Sequence, residues 1–205
     1  SSAQQNKSDE AKKKSEKMRS DMKDLQKAMA ETQKQMEMEE LSQLIEKMKE
    51  IYENILYSSQ SQENLYQTTQ KTHINDQYLS DLAENQQQLF QTIQETADSL
   101  ALYSKSRAEI TQQSMSLLGQ SMLDMKKASE NMISSRIYEP GKNNRREYEI
   151  ALESQNSALS SLNQSAYQIY SDLQAMEQAK KSCSNPMPMP MAGMKQMSEQ
   201  QKQIN

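Results

Sequence analysis

Valine and tryptophan are absent from this 205-residue chain, and Phe90 is its one phenylalanine. Half-buried pleated surfaces draw on β-branched and aromatic side chains, so the shortage argues against a sheet. Three glycines and four prolines are far too few for the turns that an all-β or α/β chain needs. No apolar run approaches the ~20 residues of a membrane span, and no signal-peptide pattern is visible. Cys183 is the single cysteine and His73 the single histidine. Neither an intrachain disulfide nor a multi-histidine metal site can be built from them. P-loop, G-x-G-x-x-G and nucleophile-elbow patterns are missing too. Nothing promises the concave apolar pocket that would shift a carboxylate pair for acid–base work. The chain is therefore expected not to be an enzyme and to need no cofactor.

What remains is a vocabulary of helix formers. Ala, Leu, Met, Glu, Gln and Lys dominate, and these lose little side-chain freedom in a helix. The expected fold class is all-α: long amphipathic helices in an elongated antiparallel coiled-coil-like bundle. Only 34% of residues are hydrophobic and the net charge is −4, a mild balance of mixed sign. The locally basic stretch Lys7 to Lys27 is interrupted by Asp9, Glu10, Glu16, Asp21 and Asp24. That pattern describes a solvated helix face rather than the basic stripe of a nucleic-acid binder, so no nucleic acid is expected as a partner. The chain opens on Ser1 instead of Met and is expected to be a processed or excised piece of a longer protein.

Three helices are expected, over about residues 8–58, 64–137 and 143–182, with a Pro/Met-rich tail at 183–205. Ser8 is placed to cap the first, with Asp9 and Glu10 favourable to its dipole. Apolar residues then recur at Met18, Met22, Leu25, Met29 and Met36, with Thr32 in the intervening slot. The alternation of four and three is a heptad seam. The register slips after Met36 and resumes at Met38, Leu41, Ile45, Met48, Tyr52 and Ile55, where Leu44, Ile51 and Leu56 widen the stripe toward more than one neighbour. The polar run Ser58 to Asn64 is the expected first turn. A second seam passes through Leu82, Leu89, Ile93, Leu100 and Tyr103, with Gln86 and Thr96 at core-like positions. A third follows from Ala108 to Met132. Ser104–Arg107 between them holds neither Gly nor Pro, so one continuous helix, straight or kinked, is favoured there over a turn. Glu139–Asn144 contains Pro140 and Gly141 and is an unambiguous breaker. Beyond it runs the cleanest heptad: Tyr148, Leu152, Gln155, Leu159, Leu162, Ala166, Ile169, Leu173 and Met176. So short a connection makes the flanking helices antiparallel.

Alternating prolines keep 183–193 out of a helix. Here Met187, Met189 and Met191 form M-x-M-x-M, with Cys183 upstream and Met194 and Met197 downstream. Thioether and thiolate sulfur suits Cu(I), which makes these six residues the metal candidates. A methionine-rich linker that merely packs adaptably is the favoured account of them, since no histidine joins the cluster and methionine fills the helical seams as well. His73 reads as a turn or helix-face residue. Tyr138, Tyr148, Tyr167 and Tyr170, around the last hairpin, are expected to cap the core.

The runs Ala151–Gln155, Ala158–Ala166 and Leu173–Met176, followed by a low-complexity break and Met194–Asn205, resemble the C-terminal region of a large bacterial family. Leu79–Phe90 is compatible with the same resemblance, which covers about half the chain. Its members are long, Gln- and Met-rich helical proteins of Bacteroidetes-like bacteria that begin with membrane-spanning helices and carry no assigned activity. The resemblance implies a helical segment of a membrane-anchored envelope protein, on the extracytoplasmic side, and transfers no site residues. The expected role is a scaffold or protein–protein interaction module. Packing would rest on Leu41, Ile45, Met48, Ile55, Leu152, Leu159, Leu162, Ile169, Leu173 and Met176. Self-association or a protein partner would use the seams, with no membrane contact in this segment. Cu(I) binding by the tail and a secreted helical effector or adhesin are the alternatives.

Overall fold

The computed structural model describes residues 2–74, 76–104, 112–137 and 143–184, with side chains from Lys13 to Ser182. Among them are four helices: α1 (Ser2–Lys71), α2 (Tyr78–Ser104), α3 (Gln112–Arg136) and α4 (Asn144–Ser184). No strand occurs among the described residues, and the all-α class stands. The chain divides into two units, Ser1–Gln43 and Leu44–Asn205. The first is the leading part of α1. The second is a bundle of the rest of α1 with α2, α3 and α4.

Cross-helix bonds set the directions within the bundle. Ser59 on α1 meets Asn163 on α4, while Tyr148 meets Thr69 and Thr72, so α1 and α4 run antiparallel. Gln62 meets Gln86, and Leu65 packs with Leu79 and Leu82, which reverses α2 against α1. Ser129 meets Ala83, and Ser104 meets Met115, which reverses α3 against α2. Ser157 meets Asp124, and Ser165 meets Ser114, closing the circuit between α4 and α3. Every neighbour is antiparallel, the arrangement that short connections favour.

Two expected boundaries are corrected. Ser58–Asn64 is not a turn; α1 continues through it to Lys71. Its inner face is hydrophilic: Ser58, Ser59 and Gln62 are buried, so that small hydroxyls and an amide stand at the core, while Gln60, Glu63 and Asn64 are exposed. The reversal comes instead at residues 72–77. There Asp76 N–H donates to the His73 carbonyl at 2.9 Å, and Asp76 Oδ1 accepts from the Tyr78 N–H at 2.9 Å. An Asx residue capping the new helix is the usual device, and His73 is an exposed turn residue. The favoured continuity at Ser104–Arg107 also fails. α2 ends at Ser104 and α3 starts at Gln112 in the opposite direction, so the expected helix over 64–137 is the end of α1 followed by two antiparallel helices. Within Glu139–Asn144, residues 139–142 lie outside the described set. Asn143 caps α4, its Oδ1 accepting from the Arg146 N–H at 3.2 Å.

The core is thin in large side chains and rich in small ones. Met48, Ile55, Leu79, Leu82, Ile93, Leu100, Leu118, Met125, Met132, Leu162, Ile169 and Met176 are fully buried. Between them lie Ala151, Ser154, Ala158, Ser161, Ser165 and Ala166 on α4, and Ser114, Ser121, Ala128 and Ser129 on α3. Small residues at facing positions let helix axes come together at the short end of the usual 8–10 Å range.

Candidate functional site

Two features stand apart from ordinary packing: an uncovered apolar stripe in the first unit and a buried amide layer in the second. The stripe is the heptad seam of the sequence. Met18, Met22, Leu25, Met29 and Met36 are each between 58% and 65% exposed. Thr32 occupies the fifth of the six seam positions, and its hydroxyl donates to the Ala28 carbonyl at 2.8 Å. With the hydroxyl satisfied by its own helix, Thr32 adds a methyl group to the stripe. Scattered exposed leucines and methionines are ordinary; five in unbroken heptad phase along one helix form a line that another helix can cover.

The amide layer joins all four helices. Gln62 Nε2 donates to Gln86 Oε1 at 3.2 Å and to the Gln155 carbonyl at 3.3 Å, and Gln86 Nε2 returns a bond to Gln62 Oε1 at 2.6 Å. Gln155 Nε2 donates to Gln86 Oε1 and to Thr69 Oγ1, both at 3.1 Å. Met132 Sδ on α3 lies 3.9 Å from Gln155 Nε2. Gln155 Oε1 is buried with no hydrogen-bond partner among the described residues. A buried amide stays favourable only while its partners are in place, so the layer ties the four helices to one relative register.

Polar clamps flank the layer at the end of the bundle holding the C-terminus of α1. Tyr148 Oη lies 2.5 Å from the Thr69 carbonyl, which also accepts from the Thr72 N–H at 3.0 Å, and 2.9 Å from the carbonyl of Thr72, just past the end of α1. Burial raises the Tyr148 pKa above its ordinary value. Arg136 reaches from the end of α3 to Ser80 and, at 2.8 Å, to Gln77 Oε1. Elsewhere in the bundle, Lys49 Nζ pairs with Glu177 Oε1 at 2.8 Å, both half-exposed. The lysine's hydrogen bond and charge hold the Glu177 carboxyl below the usual range. Tyr52 and Tyr170 lie with ring centroids 5.9 Å apart.

Open grooves mark the bundle surface among the described residues. One of about 680 Å³ between α3 and α4 is lined by amides, hydroxyls and two leucines, among them Gln113, Leu117, Asn156 and Leu159, with no carboxylate, lysine or histidine. A second, of about 450 Å³, carries Lys47 and Glu50, which pair with each other at 2.8 Å. Among the described residues no group of three or more His, Cys, Asp or Glu side chains could hold a metal ion. No helix is long and apolar enough to cross a membrane among those residues. No protein-family model, curated protein or solved structure matches the chain.

Of the expected packing residues, Leu41, Ile45, Met48, Ile55, Leu162, Ile169, Leu173 and Met176 are buried. Leu152 and Leu159 are corrected to half-buried flank positions. Their neighbours Ala151 and Ala158 take the inner face, beside the fully buried Leu162. Of the tyrosines, Tyr148 caps the end of α1, Tyr167 and Tyr170 are exposed, and Tyr138 lies outside the described residues. So do the side chains of Cys183, Met187, Met189, Met191, Met194 and Met197. Sequence reasoning placed Gln86 and Gln155 at core-like positions but missed Gln62 and Thr69. The Asx pair Asn75–Asp76 was the available signal for the true turn.

Proposed function

We propose that this chain is a non-catalytic scaffold and protein–protein interaction module, a helical segment of a larger bacterial envelope protein. The observation that carries this reading is the contrast between a bundle that closes its own core and a neighbouring stretch of α1 whose heptad stripe is uncovered. A line of apolar side chains at helical spacing is the recognition surface used when one helix receives another. The groove between α3 and α4 offers no carboxylate, lysine or histidine around which a small-molecule site could be organised. The envelope assignment rests on the family resemblance of Ala151–Gln155, Ala158–Ala166 and Met194–Asn205.

The test places a photo-crosslinking amino acid at Gln26, beside the stripe, or at Gln164, on the exposed face of α4, in cells producing the chain. Protein adducts from Gln26 and not from Gln164 are expected. Adducts from neither position, or equally from both, would remove the reason for assigning interaction to the stripe.

A further inference from the structure

We infer that the stripe from Met18 to Met36 is a docking surface for a second copy of this chain, lying antiparallel to the first. The inference deepens the interaction reading above and rests on it.

Three observations point to this occupant. The first is spacing. Met18, Leu25 and Thr32 hold one heptad position, and Met22, Met29 and Met36 the other. Antiparallel pairs set one of these positions against the other. Two copies can therefore place Met18 opposite Met36, Met22 opposite Thr32 and Leu25 opposite Met29, in both directions. All six seam positions are used and none is left over, as a self-complementary patch requires. The second is charge. Residues 13–27 carry six basic and three acidic side chains, whereas residues 28–41 carry one basic and four acidic. Antiparallel pairing lays the basic half of each copy on the acidic half of the other. Parallel pairing would oppose like with like at both ends. The third is surface chemistry. The five apolar side chains are exposed, and the Thr32 hydroxyl is already bonded to Ala28, so closure strands no seam hydroxyl.

The stripe spans under three heptads, so the dimer should be reversible and concentration-dependent rather than permanent. Screening of the opposed halves makes it weaken as salt is raised.

The experiment uses the full chain. Sedimentation equilibrium across about 1 to 500 μM should show a monomer passing to a dimer at low salt. Met22→Glu with Met29→Glu should raise the dissociation constant by at least about tenfold. Orientation is read in a Cys183→Ser background with Met18→Cys and Met36→Cys made separately. Oxidation should link an equimolar mixture of the two and leave each alone unlinked. A monomeric mass throughout, a dimer indifferent to the double glutamate substitution, or crosslinks formed by either cysteine variant alone would overturn the inference. A monomer that still gives Gln26 adducts to a different protein would sink the second copy and leave the interaction reading standing. A monomer with no such adducts would sink both.

Discussion

Residues 13–43 and the bundle that follows write apolar periodicity in the same alphabet and meet opposite ends. Met22 and Met29 stand in a heptad seam and are more than half exposed, while Met48 and Met132 stand in comparable seams and are fully buried. The difference lies outside the residues themselves. A seam specifies which face of a helix is apolar, and the supply of antiparallel neighbours decides whether that face is covered. From Leu44 onward α1 has α2 and α4 beside it. A methionine stripe suits the uncovered role, since a flexible thioether tolerates water and adapts to several surfaces.

Several substitutions would sharpen or break this contrast, and the largest effect belongs to the bundle. Leu162→Asp puts a charge into a fully buried position and should cost more than about 3 kcal/mol, abolishing the cooperative melt. Leu159→Asp, on the half-buried flank, should cost clearly less. Equal losses in urea denaturation would show that α4 is rotated from the face described. Met22→Glu should leave the bundle's transition within about 0.5 kcal/mol of the parent, since an exposed residue has no core to disturb.

The amide layer gives the next effect. Gln86→Leu removes partners from both Gln62 and Gln155 and should destabilise by about 2–4 kcal/mol. Replacing Gln62, Gln86 and Gln155 together by leucine should recover most of that loss, because no amide is then left unpaired. A triple variant less stable than the single one would deny the layer its cooperativity.

Tyr148→Phe should cost about 1–2 kcal/mol and speed amide exchange in the last turn of α1. Its phenol adds a pH signature. The folded pKa is raised, so its contribution is complete below the unfolded value of about 10 and fades as pH climbs through the folded one. The alkaline limb of the stability profile should flatten in the phenylalanine variant. One small effect has the opposite sign. A Cβ built on Gly119 meets nothing within 4 Å, so Gly119→Ala in α3 should stabilise by about 0.5–1 kcal/mol.

Helical class and most seam positions were legible because 3.5-residue periodicity is a local signal. The turns were harder. Ser58–Asn64 read as a loop because serine and glutamine are scarce in most cores, yet here they form one. The real reversal hangs on Asp76, a single capping residue, and the reversal after Ser104 carries neither glycine nor proline. On α4 the leucines of the heptad looked like the core. Whether Ala158 or Leu159 turns inward depends on how closely the neighbouring helices approach, a quantity that no single helix encodes. The exposure of the Met18–Met36 stripe was illegible for the same reason.

The glutamine layer also makes the bundle a mechanical ratchet stop. Sliding one helix past the others by a turn moves it about 5.4 Å, well beyond the reach of any of these amide bonds. A pull along one helix axis therefore meets a catch toward the end of the bundle that holds the C-terminus of α1 rather than a greased track of leucines. Force delivered to one helix should be shared among all four, and the bundle should shift as one piece before any helix is drawn out.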